Sequence, residues 1–456
     1  MGINLTHEDE VFNMENIKLP AALVHDTLRK HMLVDGFDFV IDLEKSQGSI
    51  IVDEKNGDNY IDFFTFFASS PLGMNHPKMM LPEVQKELLI AGTNKPSNSD
   101  IYTTLMAEFV DTFARIAKPD YMKYLFFIST GTLAIENGLK VAFDWKVRKN
   151  FAKGYKEERG QKVIHFKQAF HGRSGYTLSL TNTEPNKIKY FPKFDWPRIT
   201  NPKSTFPVNE NIRMIKELEA KAIDEINSAI KANKDDIAVL ILEPIQGEGG
   251  DNFFRKEFHE KLRDITNEND ILLMYDEVQT GVGITGKMWA HQHYTNPDIM
   301  AFGKKTNVCG IMVSDKIDEV EDHCFKVSSR INSTWGSDLV DMVRSKHFLR
   351  IIAEENLVEN SRIMGNYLLE NLLNLQAEFP DLICNTRGLG LMCSFDFADA
   401  KLRNQFKELC YNEKVLILGC GEKSIRFRPA LNISQDILDK GLKVIKNVLY
   451  LMGTNI

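Results

Sequence analysis

The chain has little of what marks secreted, membrane-spanning or nucleic-acid-binding proteins. Its six cysteines, Cys309, Cys324, Cys384, Cys393, Cys410 and Cys420, all fall in the last third, without Cys-x-x-Cys or Cys/His ligand spacing. No metal site is expected from them; they read as reduced, mostly structural thiols of a cytoplasmic protein. No block of five or more Lys/Arg occurs, and a formal net charge of -7 gives an average field that repels nucleic acid and anionic membranes. No apolar run is long enough to span a bilayer. Residues 1–15 are polar and acidic, lacking the basic-then-apolar order of a secretory signal. Repeats and low-complexity tracts are missing too. What is present is an ordinary globular balance, 43% hydrophobic and 26% charged over 456 residues, enough for one large domain and a smaller one.

Three kinds of segment follow one another. Residues 1–75 hold a helical stretch and a hairpin pattern, Ser49-Ile-Ile-Val-Asp53, a turn at Asn56-Gly57-Asp58, then Tyr60-Ile-Asp-Phe63; this segment is expected to be part of the smaller domain. Residues 76–335 alternate short apolar runs with amphipathic helical stretches, which predicts an α/β domain built on a mainly parallel sheet. The clearest runs are 124–128, 163–166, 237–242, 271–275 and 299–302. Residues 336–456 predict a smaller α+β domain: one long helical pattern through Glu378, strand-like pieces at 392–395, 415–418 and 425–427, and a final amphipathic helix over 433–452.

In open parallel sheets ligands sit beyond the carboxyl ends of the strands, so the residues after each run matter most. Run 124–128 leads into Ser129-Thr-Gly-Thr132 and then a helical stretch. Hydroxyl residues and a glycine entering a helix make either an ordinary cap or a small anion site, because the first backbone N–H groups point outward. Run 237–242 leads into Glu243-Pro-Ile-Gln-Gly-Glu-Gly-Gly250, either a solvated loop or a turn whose glycines let backbone approach something closely. Run 271–275 ends on Asp276. A carboxylate there either caps the next turn or partners a cation, since burying it unpaired is costly. Run 299–302 leads to Gly303-Lys304-Lys305; one lysine of the pair is free to be solvated, and the other suits condensation with an aldehyde, an amine that burial beside another cation makes neutral. Each feature alone is ambiguous. Together they offer a phosphate cradle, a carboxylate for a pyridine nitrogen and an amine for an aldehyde, the set of groups that pyridoxal 5'-phosphate requires.

These residues resemble the class III, fold-type-I aminotransferases, which act on distal amines. The resemblance runs almost end to end and is carried by Asp276-Glu-Val-Gln-Thr-Gly-Val-Gly283, Pro297-Asp-Ile-Met-Ala-Phe-Gly-Lys304, Phe170-His-Gly-Arg173 and Glu243-Pro-Ile-Gln-Gly-Glu248. The stretches Phe63-Thr-Phe-Phe-Ala-Ser-Ser-Pro-Leu-Gly-Met-Asn-His-Pro77, Asn94-Lys-Pro-Ser-Asn-Ser-Asp100, Val141-Ala-Phe-Asp-Trp145 and Ile331-Asn-Ser-Thr-Trp-Gly336 are similar to the members that take the side-chain amine of L-lysine. The resemblance implies that Lys304 binds the cofactor aldehyde and carries the proton, that Asp276 pairs with the ring nitrogen, and that Phe170 and Val278 sandwich the ring. It further implies that Gln279 reaches the ring hydroxyl, that Gly131 and Thr132 offer backbone donors to the phosphate, and that Glu243 belongs to the cofactor site. Thr334 would reach the phosphate of the neighbouring subunit, which makes a homodimer the functional unit. Thr132 departs from the small residue common at its position, so its side chain must point away or add a hydroxyl contact.

The implied reaction moves the ε-amino group of L-lysine to 2-oxoglutarate, giving 2-aminoadipate 6-semialdehyde, which cyclises to piperideine-6-carboxylate, and L-glutamate. Lysine brings one carboxylate, far from the reacting amine; 2-oxoglutarate brings one near and one far. By resemblance Arg173 takes the far carboxylate and Arg426 the near one. With lysine bound, Arg426 would face methylenes, and an unpaired buried charge costs about 3–5 kcal/mol. Glu248 is the candidate that pairs with Arg426 in that state and swings aside for 2-oxoglutarate, with Gly247, Gly249 and Gly250 as the hinge. Arg428, two residues on, is expected on the opposite face. The alternatives are the same chemistry on ornithine, 4-aminobutyrate or another ω-amine, and a pyridoxal-phosphate aminomutase, which would need no oxo-acid.

Overall fold

In the computed structural model, which describes residues 19–454, the turn Asn56-Gly57-Asp58 closes a hairpin between Ile50–Val52 (β1) and Asn59–Asp62 (β2), with Ile51 opposite Tyr60. The stretch 1–15, and its reading as lacking a secretory signal, lies outside the described residues. Among the described residues no helix is long and apolar enough to cross a membrane.

Seven strands follow: Met122–Ile128 (β3), Lys162–Phe166 (β4), Arg198–Ile199 (β5), Ile237–Leu242 (β6), Leu272–Asp276 (β7), Ile299–Phe302 (β8) and Cys309–Ser314 (β9). They form one sheet in the order β3-β9-β8-β7-β6-β4-β5. Neighbours are parallel except that β9 runs against both β3 and β8. Every residue of β6, β7 and β8 is buried, which explains their unbroken apolar sequence: helices cover both faces, so neither face favours polar side chains. The helix Gly131–Ala152 covers one face and packs on β6, β8 and β9. This is the α/β architecture that alternating apolar runs and helical stretches predict.

The C-terminal region adds Ile383–Leu389 (β10), Met392–Phe397 (β11), Val415–Leu416 (β12), Leu418–Cys420 (β13) and Ser424–Phe427 (β14). Four of these form an antiparallel sheet, β10-β11-β14-β13, while β12 pairs in parallel with β2, Val415 opposite Ile61. The apolar piece 415–418 is therefore shared between two sheets and breaks at Ile417. The long helical pattern is likewise two helices, Leu339–Glu354 and Leu357–Glu378. Asn356 separates them with φ 52, a left-handed conformation that asparagine tolerates better than most side chains.

Candidate active site

The carboxyl ends of β4, β6, β7 and β8 and the start of the helix Gly131–Ala152 converge on one cavity of ≈ 530 Å³. Gly131, Thr132, Phe170, Arg173, Glu243, Glu248, Asp276, Val278, Gln279 and Lys304 all line it, as do His171, Ser174 and Cys309. The buried carboxylate of Asp276 is held on both oxygens: Oδ1 accepts from the Val278 N–H at 3.0 Å, and Oδ2 lies 2.8 Å from His171 Nδ1. His171 is itself buried, and its Nε2 has no hydrogen-bond partner among the described residues. A carboxylate on Nδ1 places the ring proton there and fixes the orientation of the imidazole.

Lys304 follows β8 with φ 53 and lines the cavity. Burial, reinforced by the charges of Arg426 and Arg428, lowers its pKa to about 8. Its neighbour is not solvated. Lys305 is buried and donates from Nζ to the carbonyls of Gln279 at 2.7 Å and Ala68 at 3.3 Å. One lysine of the pair is structural and the other faces the cavity.

The helix beginning at Gly131 is not capped in the ordinary way. Thr130 has φ 71 and makes no side-chain cap. The Thr132 hydroxyl lies 2.8 Å from both Ser174 Oγ and Thr177 Oγ1, turned into a hydroxyl cluster. The first N–H groups of a 22-residue helix therefore stay available for an anion. A Cβ at Gly131 would stand 2.9 Å from Val278 Cγ1, so glycine allows that helix end to approach the residue on the opposite wall.

Glu243 is buried and accepts from the backbone N–H of Phe170 at 3.0 Å and of Gly247 at 2.9 Å. Burial raises its pKa to about 7. It fixes both the loop that carries Phe170 and the turn that carries Glu248. That turn is pinned rather than hinged: the Gly421 N–H donates to the Glu248 carbonyl at 2.8 Å, and a Cβ at Gly249 would stand 2.0 Å from the Gln168 carbonyl oxygen. Gly249 thus permits a close approach to the protein's own backbone, and Gly247 admits the Gln279 side chain, whose Oε1 would stand 2.3 Å from a Cβ there. Any motion of the Glu248 carboxylate must come from side-chain rotation.

Glu248 Oε2 accepts from Arg426 Nη2 at 2.9 Å, and Arg426, 3% exposed, lies beside the Phe67 ring, 5.8 Å from its centroid. Burial pushes the Glu248 carboxyl up, but the Arg426 charge and a hydrogen bond from Lys187 outweigh it and hold the pKa below the usual carboxylate value. The expectation that Arg428 faces away from Arg426 fails. Residues two apart in a strand share a face, and both guanidinium charges bear on Lys304. Partners distinguish them: Arg428 is taken by Asp251 and by Gln279 Oε1, the latter at 2.9 Å. Arg173 lines the cavity, exposed, with no ion pair or hydrogen bond among the described residues. Thr334 is not brought into this cavity; its carbonyl accepts from Ser97 Oγ at 2.6 Å in a separate exposed loop.

Residues 34–449 match the aminotransferase class-III family. The chain belongs to that family. An L-lysine-epsilon aminotransferase from Mycobacterium tuberculosis is 47% identical over 428 residues, 93% of this chain and 95% of that one. One from Streptomyces clavuligerus is 45% identical over 448 residues, 98% of each. A solved lysine aminotransferase from M. tuberculosis superimposes with a TM-score of 0.93 at 46% identity, covering 95% of this chain and 100% of the other.

The cavity of this class-III aminotransferase fits pyridoxal phosphate on its own chemistry. An uncapped helix start suits the phosphate, Asp276 suits a protonated ring nitrogen, and Lys304 is an amine poised for an aldehyde. His171 and Lys187 escaped the sequence reading. His171 lies within a quoted motif, and its signal was a strand-end carboxylate in need of a donor. Lys187 gave no local signal, being 61 residues from the carboxylate it meets.

Proposed function

We propose that this enzyme transfers the ε-amino group of L-lysine to 2-oxoglutarate, releasing L-glutamate and 2-aminoadipate 6-semialdehyde, which cyclises to piperideine-6-carboxylate. The observation that carries the reading is the Arg426–Glu248 pair at 2.9 Å, in a site where Arg173 is left without a protein partner. With that pair closed, the cavity offers one free arginine, matching a substrate whose single carboxylate is remote from the reacting amine. With it open, the cavity offers two, matching 2-oxoglutarate.

Lys304, Asp276, Gly131, Thr132, Phe170, Val278, Gln279 and Glu243 would hold pyridoxal phosphate, which would supply the electron sink that lets a carbon next to nitrogen lose its proton. The protein's residues do the rest. Asp276, kept in place by His171, holds a proton at the ring nitrogen. Lys304 Nζ, its pKa lowered to about 8 by burial and the nearby arginines, takes the proton from the carbon bearing the transferred amine and returns it. Phe170 and Val278, which both line the cavity, would hold the cofactor ring between them. Arg173 anchors the far carboxylate and sets which end of lysine reaches Lys304.

The same reading includes a homodimer in which Thr334 of each subunit serves the other's phosphate, supported by its position outside its own cavity. It includes the division of the chain at residues 75 and 335, with the N-terminal segment joined to the C-terminal region through β2 and β12. It also includes a cytoplasmic setting, since a reducing compartment keeps thiols such as the six free cysteines unpaired.

The test is Glu248→Ala with the two half-reactions measured separately. The lysine half-reaction should slow by about 100-fold or more, the effect of leaving a buried guanidinium facing methylenes, while L-glutamate and 2-oxoglutarate are far less affected. Equal losses in both half-reactions would rule the pair out as the selector.

A further inference from the structure

Lys187 adds a third charge to the pair that selects between substrates. Its Nζ lies 2.6 Å from Glu248 Oε1, while Arg426 Nη2 lies 2.9 Å from Oε2, so two cations share one carboxylate. Lys187 is carried by the short helix Pro185–Ile188 and stands over the Phe170 ring, 5.5 Å from its centroid. It also meets Glu184 at 2.9 Å, but that carboxylate is 57% exposed, and exposed pairs bind weakly. Glu248 is the better-enclosed partner, 23% exposed.

The pinned turn makes this arrangement consequential. Because the Glu248 backbone is fixed at its carbonyl and packed at Gly249, the carboxylate leaves Arg426 only by swinging about its own side-chain bonds. At the start of that swing one oxygen is already on Lys187. When the near carboxylate of 2-oxoglutarate takes Arg426, the charges then resolve into two pairs, substrate with Arg426 and Glu248 with Lys187. Without Lys187 the displaced carboxylate would be left half-enclosed, without a cation, beside an incoming dianion. Such a state is costly by both lost pairing and like-charge repulsion.

We propose that Lys187 is the positioning residue that retains Glu248 when 2-oxoglutarate claims Arg426, so that the selector is a relay of three charges rather than a pair. This rests on the reading of Glu248 and Arg426 given above. Lys187 is not among the residues that line the cavity, and it acts through Glu248.

The experiment uses the full-length, cofactor-loaded enzyme and single-turnover half-reactions for Lys187→Met, Lys187→Arg, Glu248→Ala and the Lys187→Met/Glu248→Ala double variant. For Lys187→Met the half-saturating concentrations of 2-oxoglutarate and L-glutamate should rise about tenfold or more, while that of L-lysine changes by less than about threefold. Lys187→Arg should restore most of the loss, and in the Glu248→Ala background Lys187→Met should add nothing, because the carboxylate it retains is gone. Three outcomes overturn the proposal: equal effects on both half-reactions, no effect on 2-oxoglutarate, or an undiminished effect in the Glu248→Ala background. Failure of the substrate reading looks different. A wild-type enzyme inert to lysine would sink that reading, and L-glutamate, which presents the same near carboxylate, would still test Lys187.

Discussion

Recombination of the cofactor-free protein with pyridoxal phosphate should accelerate as pH rises, with a midpoint near pH 8 and a plateau above it. The cause is Lys304, whose pKa burial and two neighbouring guanidinium charges lower to about 8. At pH 7 that leaves about a tenth of the amine neutral, against well under a thousandth for an ordinary lysine. The linked stability effect has a definite sign. In the cofactor-free fold the charged amine is destabilising, fully so below pH 8, and the penalty disappears as pH rises from 8 toward the unfolded value near 10.5. Stopped-flow absorbance of the recombining cofactor across pH 6–10 checks the first statement; a midpoint near 10.5 would mean the wrong lysine. At this scale Lys304, Asp276 and Gly131 were legible because each stands in a short motif directly after a strand. Which lysine of Lys304 and Lys305 faces the cavity was settled by the resemblance, not by the local pattern, since burial of Lys305 depends on carbonyls of Ala68 and Gln279. The His171–Asp276 contact joins residues 105 positions apart, beyond the reach of any spacing rule.

Among the elements, the helix Gly131–Ala152 carries the most specific prediction. A Cβ at Gly131 would press on Val278 at 2.9 Å, so Gly131→Ala should push the helix start and the ring wall apart. The expected outcome is weaker cofactor binding by about 1–3 kcal/mol, the usual cost of overpacking, with little change in the thermal midpoint of the cofactor-free protein. Titration of pyridoxal phosphate by fluorescence measures the first, and calorimetry the second. Strands that are buried on both faces were legible as continuous apolar runs, β6 and β8 above all. Those that escaped have physical reasons. β5 is two residues long, and β10 carries Asn385, Thr386 and Arg387 in a shifted register. β9 starts only seven residues after β8 ends and is not among the runs picked out from the sequence. The break at Asn356 turns on one left-handed residue within an otherwise unbroken helical pattern.

For the whole molecule, the proposed sharing of each site between two subunits makes a complementation test possible. Lys304→Ala and Thr334→Ala chains, each nearly inactive, should regain about a quarter of wild-type activity when unfolded, mixed equally and refolded. Half of the dimers are then mixed, and one of the two sites in each is intact. No recovery would mean that Thr334 serves its own chain or none. The layered α/β architecture was legible from the alternation of runs and helices. The strand order, the antiparallel course of β9 and the pairing of β2 with β12 were not, because they depend on contacts between distant segments. The central claim is that the side-chain amine of lysine, not its α-amine, reaches Lys304 because Arg173 is free while Glu248 occupies Arg426. The direct measurement supplies lysine labelled with ¹⁵N at one nitrogen or the other, together with unlabelled 2-oxoglutarate, and reads the glutamate by mass spectrometry. Label should pass to glutamate from the ε-position and not from the α-position; glutamate labelled from the α-position would contradict the account.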